Sequence, residues 1–427
     1  MKTKLDRRFW LCLTIFSLMG QIAWVVENMY FNVFIYKMFH ASASDIAAMV
    51  AASAVTATLT TMFMGPLSDK IGKRKLFICG GYLLWGISIF SFILLREDMI
   101  SQVFGMTVSA ATVGVSLTII MDCVMTFFGS TANDAAFNAW LTDSTDDSNR
   151  GAAEGINAMM PLVSVLVVFG GFMFFDQNQP DTWSLIFSII GALTMVVGIL
   201  GFFLIKEPDI RPAEGSYLGG IFHGFRPSII GENKKLYLSL VGFILFNIAI
   251  QIFMPYLIIY YEKTLGMTDY VFIFAPAIII ASVVTALWGR VYDKKGFAFS
   301  GLLAVSGLMV GFALLYLTRT TIPVFIGTLF MMSGYLAGMA VFGAVIRDHT
   351  PVGMAGRFQG VRIFSQVFVP GLVGPAISAK ILENAQTFID TDGRESFIPN
   401  ANIFLAAAIV LALVYPFFLV KMGKKKN

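Results

Sequence analysis

Charged side chains make up only 13% of the 427 residues, against about 25% in ordinary soluble domains. With 57% apolar residues and a mean hydropathy of +0.77, that scarcity excludes a soluble enzyme. Histidine occurs three times (His40, His223, His349), in loops or at the ends of apolar runs, so no histidine cluster can ligate a metal. Cys12, Cys79 and Cys123 all lie inside apolar runs. An odd, scattered set of this kind is neither a disulfide framework nor a metal site. The chain has no phosphate-binding glycine loop of the kind an ATP-driven pump needs; the glycines of 65–75 are wrongly spaced and too basic in company. No catalytic residues, metal or cofactor are expected.

What the chain has is long apolar runs. A spanning helix needs about 20 mostly apolar residues, and such runs lie at 9–36, 46–66, 75–95, 116–142, 152–175, 182–205, 236–261, 270–289, 297–318, 322–346, 358–382 and 402–420. They are continuous, whereas an outer-membrane barrel shows alternating segments of about ten residues. The region 96–142 is too long for one helix and too short for two, so 97–115 is expected to be a membrane-surface piece. The expected fold class is therefore an all-α polytopic membrane protein with twelve transmembrane helices.

Sorting the basic residues by side sets the direction. With the amino terminus in the cytoplasm, 24 Lys and Arg fall on the inner side. Only Lys37, Arg96, Lys263, Arg319, Lys380 and Arg394 fall on the outer side. Both termini are thus expected to be cytoplasmic, which agrees with an even number of spans. The first apolar run, about 28 residues long, exceeds the 7–15 of a signal-peptide core, so it is expected to stay as an uncleaved span.

A polar stretch at 206–235 divides the chain into 1–205, the amino-terminal six-helix bundle, and 236–427, the carboxy-terminal one, with 206–235 as the cytoplasmic central loop. The halves echo each other. Gly65-Pro66-Leu67-Ser68-Asp69-Lys70-Ile71-Gly72 follows the second run, and Gly289-Arg290-Val291-Tyr292-Asp293-Lys294-Lys295-Gly296 follows the eighth. A weaker echo pairs Asp143 and Arg150-Gly151 with Asp348 and Arg357 after the fourth and tenth runs. Such a repeat implies two pseudo-symmetric bundles with a cavity between them, the architecture of a rocker-type secondary transporter.

Gly65 to Lys75 fills every position of Gly-x-x-x-Asp-Arg/Lys-x-Gly-x-Arg/Lys-Arg/Lys, and so resembles the inner-loop signature of the major facilitator superfamily. With the six-plus-six layout, the resemblance covers essentially the whole chain. Gly65 is expected to allow a close helix approach. Asp69 stands at an inner helix boundary, where it can accept from amides and pair with an arginine. Gly65, Asp69, Gly72 and Arg74, with Asp293 in the second half, are the expected conformational latch. By the resemblance, the partner of Asp69 lies at the start of the eleventh span, where Arg357 and Arg362 are the candidates.

Three acids lie well inside the runs: Glu27 in the first, Asp122 and Asp134 in the fourth. An ionised side chain at the bilayer centre costs about 2.5–3.5 kcal/mol even on lenient scales, so each marks a functional site. No Lys or Arg lies deep in any run to neutralise them. Unpaired buried carboxylates are either protonated or hold a cation, and both states suit coupling to H⁺ or Na⁺. Counting 1.5 Å per residue puts Glu27 and Asp122 at similar depths, roughly 13 and 9 Å below the outer surface. Asp134 lies on the cytoplasmic side of the middle.

Polar stripes accompany the acids. Gln21, Asn28 and Asn32 share one face of the first span, with Trp24 between that stripe and Glu27. Asp122, Thr126, Gly129 and Asn133 follow one line along the fourth, and Asn247, Gln251 and Tyr261 one face of the seventh. Amides beside an aromatic face suit a polyhydroxylated solute. The competing reading makes each amide an interhelical hydrogen bond worth about 0.6 kcal/mol.

All three acids fall in the first half, which resembles the glycoside–pentoside–hexuronide:cation symporters, the melibiose-permease-like branch. Asp134-Ala-Ala-Phe137-Asn-Ala139, followed by Asp143, Thr145 and Asp147, is similar to that branch's Asp-x-Pro-Tyr/Phe-x-Ala…Asp/Glu-x-Thr-x-Asp, with Ala136 in place of Pro. Gly20-Gln21…Trp24…Glu27 is similar to the first-span Gly-x-Gln-x-x-Trp-x-x-Glu/Gln of sucrose-type transporters. The resemblance implies a cation site of amino-terminal carboxylates, and leaves open whether Asp122 or Asp134 joins Glu27. The second span, rich in Ala, Ser and Thr, lacks the acid of sodium-linked members, which favours H⁺.

The leading expectation is cation-coupled symport, by a monomer in the plasma or inner membrane, of a small solute, a sugar or glycoside. Lipid is the only other partner expected, and nucleic acid is not one. A proton-driven exporter of lipophilic compounds is the alternative, since 23 Met and 41 Phe can line an adaptable apolar cavity. A membrane scaffold is a third reading, favoured if Glu27 and Asp122 were sealed in packing hydrogen bonds.

Overall fold

The computed structural model describes residues 5–105, 109–146, 149–207, 222–351, 355–390 and 393–419, without the side chains of 150, 151, 154 and 355–357. Among these, eleven helices are long and apolar enough to cross a membrane: Arg7–Phe39, Ala43–Ile71, Arg74–Leu94, Ala110–Asp143, Gly155–Phe172, Pro180–Leu204, Lys234–Thr264, Val271–Leu317, Thr321–His349, Phe358–Leu382 and Asn402–Leu419. Helices suit these runs because a lipid-exposed backbone must satisfy all its polar groups internally. Val271–Leu317 has 47 residues, about 70 Å of helix, more than twice the roughly 30 Å hydrocarbon layer. It breaks at Gly296, which adopts φ 78°. It therefore holds the eighth and ninth spans, and the chain crosses twelve times.

The helix bounds follow the apolar runs, with one shift. Only Glu97–Phe104 forms a separate short helix after the third span, and the fourth span starts at Ala110, where the Ser109 hydroxyl accepts from the Thr112 amide. Asp6 caps the first span by accepting from the Phe9 amide at 2.7 Å. A two-stranded antiparallel hairpin, Thr387–Ile389 with Glu395–Phe397, follows the eleventh span; strands of three residues are too short for a periodicity to reveal.

The chain forms two compact units, Met1–Ala41 with Ala52–Ile221, and Ser42–Ala51 with Phe222–Asn427. In the first, the third and sixth spans approach through glycine. A Cβ on Gly86 would lie 2.7 Å from the Gly191 carbonyl, and one on Gly198 2.7 Å from the Leu83 amide. Without a hydrophobic force between helices in lipid, such backbone contact is what holds spans together. Arg8 donates to the Leu204 carbonyl at 2.6 Å and to that of Phe203, capping the end of the sixth span. In the second unit, Gly311 packs on the Met331 backbone and Gly334 on that of Leu308 in the same manner.

Among the described residues, four spans contain π-helical turns: Val26–Tyr30, Ser130–Phe137, Tyr260–Thr264 and Phe364–Phe368. Such turns inside α-helices are frequent at functional sites, and the first two carry Glu27 and Asp134.

Candidate functional site

Glu27 is 6% exposed. Its Oε1 accepts from Ser53 Oγ of the second span at 2.6 Å and from Thr126 Oγ1 of the fourth at 2.9 Å. The two hydroxyl oxygens are 3.0 Å apart, so the three spans meet in a closed triangle of oxygens. Asp122 lies one turn before Thr126 on the same stripe, 2% exposed, and interacts electrostatically with Glu27. Among the described residues, neither Glu27 Oε2 nor Asp122 Oδ1, both buried, has a hydrogen-bond partner.

Asp134 is half-buried one π turn further along. In an α-helix a residue four positions on overshoots a full turn by about 40°. In a π turn, with its i→i+5 bonding, it falls short instead. Asp134 lies in such a turn, Ser130–Phe137. There Ser130 Oγ donates to Asp134 at 3.1 Å and Asn133 Nδ2 at 3.2 Å, and the Trp24 indole bonds to it as well. Asn133 in turn accepts from Tyr82 at 3.0 Å, whose hydroxyl also lies 2.7 Å from the Phe16 carbonyl. Gly20 makes room for this contact: a Cβ there would stand 2.4 Å from Asn133 Oδ1 and 2.6 Å from the Tyr82 hydroxyl. Among the described residues, no salt bridge reaches Glu27, Asp122 or Asp134.

The polar stripes divide. Asn28 is exposed and donates to the Trp24 carbonyl at 2.8 Å; Gln21 and Trp24 are half-buried. Asn32 is fully buried and donates to the Asn28 carbonyl at 2.9 Å. In the second unit, Asn247 is buried and donates to the Phe243 carbonyl at 2.8 Å, while the half-buried Gln251 has its Cβ against Gly374. Tyr261 is fully buried, its hydroxyl bonded to Thr328 and its ring 4.7 Å from that of Phe274.

The repeated loops share a backbone. Gly72 and Gly296 both take positive φ, 68° and 78°, which ends the second and eighth spans at equivalent places. A side chain would be strained there. Among the described residues a Cβ on Gly65 would meet nothing within 4 Å, whereas Gly20, Gly81 and Gly86, nearer the middle of the unit, make close contacts. Asp69 pairs with Arg74 of its own loop, and Arg74 Nε donates to Asp143 Oδ2 at 3.0 Å, with Ser68 as a third acceptor. In the second unit Tyr292, at the position of Ser68, donates to Asp348 at 2.7 Å. Beside it a cavity of about 210 Å³ is lined by Trp288, Asp293, Arg347 and Asp348. The side chain of Arg357 lies outside the described residues, and Arg362 is exposed.

Ser53 and Tyr82 did not stand out in the sequence. Ser53 is one of many small polar residues in the second span, and only the need of a buried Glu27 for donors singles it out.

The sequence pattern of the Major Facilitator Superfamily matches residues 9–375. No curated protein matches the chain. The fold is similar to that of solved transporters, among them the following three. The xylose transporter XylE from E. coli has a TM-score of 0.73 at 14% identity, over 98% of this chain and 97% of that one. A bacterial homolog to the human lysosomal transporter Spinster gives 0.70 at 15%, over 97% of each chain. The nucleoside transporter NupG gives 0.69 at 14%, over 97% and 99%. Twelve spans, a repeated Gly-x-x-x-Asp-Lys-x-Gly loop and a match over most of the sequence leave one assignment: the chain belongs to the Major Facilitator Superfamily of membrane transporters.

Proposed function

We propose that the protein is a cation-coupled symporter of a sugar or glycoside, of the melibiose-permease-like branch, in the plasma or inner membrane with both termini cytoplasmic. The observation that carries this reading is Glu27: a buried carboxylate that, among the described residues, is bonded by hydroxyls through one oxygen while the other has no partner. Such a group needs a cation to neutralise it in an apolar layer. A cation that binds one conformer better than the other shifts the balance between them. The residues that carry the branch resemblance are in mutual contact, with Trp24 bonded to Asp134 and Gly20 beneath Asn133, which supports the assignment. A polar solute, in the class of the xylose and nucleosides that two structural relatives carry, fits the exposed amide of Asn28 beside Trp24 better than a lipophilic one.

Uptake of a panel of radiolabelled sugars into vesicles with imposed H⁺ or Na⁺ gradients tests the reading. Glu27→Gln is expected to abolish gradient-driven accumulation while downhill exchange persists. Unchanged accumulation in that variant would remove Glu27 from the mechanism.

A further inference from the structure

Two indoles from different spans of the first unit lean on each other. Trp24, half-buried on the first span, has its ring centroid 5.1 Å from that of Trp85 on the third, with the planes 47° apart. Trp85 is fully buried and meets the Tyr82 ring edge-on at 5.4 Å. The fourth span makes room for the pair by having no side chain at Gly129. A Cβ there would stand 2.7 Å from Trp85 Cε2 and 3.1 Å from Trp24 Cη2. In an interior packed this closely a ring has little freedom to shift.

Among the described residues, the Trp85 indole nitrogen is buried without a hydrogen-bond partner. A buried donor left unbonded costs free energy, and phenylalanine has no such donor. What Trp85 supplies is therefore the breadth of its ring. The Trp24 indole is held at its nitrogen by Asp134 and along its ring by Trp85 and the gap at Gly129. One turn on, the exposed Asn28 donates to the Trp24 carbonyl, and among the described residues its side-chain oxygen accepts no hydrogen bond.

We propose that Trp85 and Gly129 are positioning residues for solute recognition, which together set the plane of the Trp24 indole on which the ring of the sugar lies. This deepens, and rests on, the reading of Trp24 and Asn28 as solute contacts. A sugar ring carries C–H groups as well as hydroxyls. Its apolar face can lie on an indole while a hydroxyl donates to the Asn28 oxygen. Making both contacts at once requires a fixed angle between indole and amide, and a Trp24 free to tilt would lose one of them.

Uptake kinetics of the full-length protein in vesicles, with radiolabelled melibiose, sucrose and xylose, test this. Trp85→Phe removes no hydrogen bond and leaves a gap behind Trp24, whereas Gly129→Ala presses on both rings. Each is expected to raise KM about three- to tenfold, the worth of one aromatic contact, with the maximal rate unchanged. The double variant is expected to have a lower KM than Gly129→Ala alone, because the smaller ring admits the methyl group. Trp183→Phe is the control. Trp183 is also buried in this unit, packed on Phe34 and Phe187, and its loss is expected to lower thermal stability with KM unchanged. A KM unmoved by both Trp85→Phe and Gly129→Ala would overturn the proposal and leave the sugar reading standing. So would an equal rise in Trp183→Phe, or simple addition of the two effects in the double variant. Failure of the wild type to take up any of the three sugars would remove the solute reading, and this inference with it.

Discussion

Tyr292 donates its hydroxyl to Asp348 at 2.7 Å, in the place where the other half of the repeat uses Arg74 to hold Asp143. The two Gly-x-x-x-Asp-Lys-x-Gly loops share a backbone and differ in what they bind with. In the first, Arg74 is 4% exposed and bridges Asp69 and Asp143; in the second, Ala298 stands at its position and a phenol takes over. Removing one partner of a buried ion pair costs more than removing one hydrogen bond, because the remaining charges are left uncompensated.

Arg74→Ala is therefore expected to destabilise more than Tyr292→Phe. Asp69 and Asp143 are partly exposed, 46% and 28%. The loss is therefore about 1–3 kcal/mol, below that of a fully buried pair, against about 1 kcal/mol for the phenol. Thermal unfolding of the two variants in the same detergent measures the order; equal shifts would contradict it.

Gly20→Ala is expected to be damaging and Gly65→Ala silent. The first Cβ would overlap Asn133 and the Tyr82 hydroxyl, and overpacking of this kind costs about 1–3 kcal/mol. The second meets open space, although Gly65 is the first residue of the family signature. Expression level, monodispersity and uptake of the two variants check this.

Ser53→Ala and Thr126→Val each remove one donor to Glu27 Oε1. A hydrogen bond to a charged group contributes about 1.5–3 kcal/mol, so gradient-driven accumulation is expected to fall roughly tenfold or more. Downhill exchange is expected to persist in both, since the carboxylate itself remains. Loss of both activities together would make these hydroxyls structural only.

Asp6, just outside the first span, is held below the ordinary carboxylate range, chiefly by the hydrogen bond from Lys206 and then by that from the Phe9 amide. A depressed carboxyl stabilises the fold above its unfolded value of about 3.9 and loses that contribution as pH falls through the folded value. Asp6→Asn is expected to lower the melting temperature at neutral pH, and the gap from wild type to narrow under acid. A gap independent of pH would show that the cap works without its charge.

The sequence by itself determined the membrane class, the twelve crossings and the repeat. Lipid forces long apolar runs into helices whatever their neighbours are, so those properties are local. The repeated glycines were equally legible, since positions 72 and 296 need a backbone that only glycine adopts easily. The intramembrane acids were legible as anomalies, because their cost depends on depth alone.

Which atoms those acids face was decided only by the tertiary structure. Ser53 is one hydroxyl among many in its span, yet packing of three helices selects it for Glu27. Asp134 meets Ser130 and Trp24 within a stretch, Ser130–Phe137, wound as a π turn, which no side-chain pattern announces. Asp69 also pairs with Arg74, five residues away, since the left-handed turn at Gly72 folds the loop back on itself. Hydrogen bonds between spans depend on rotations of a few tens of degrees about each helix axis. Hydropathy is blind to such rotations, and close packing sets them.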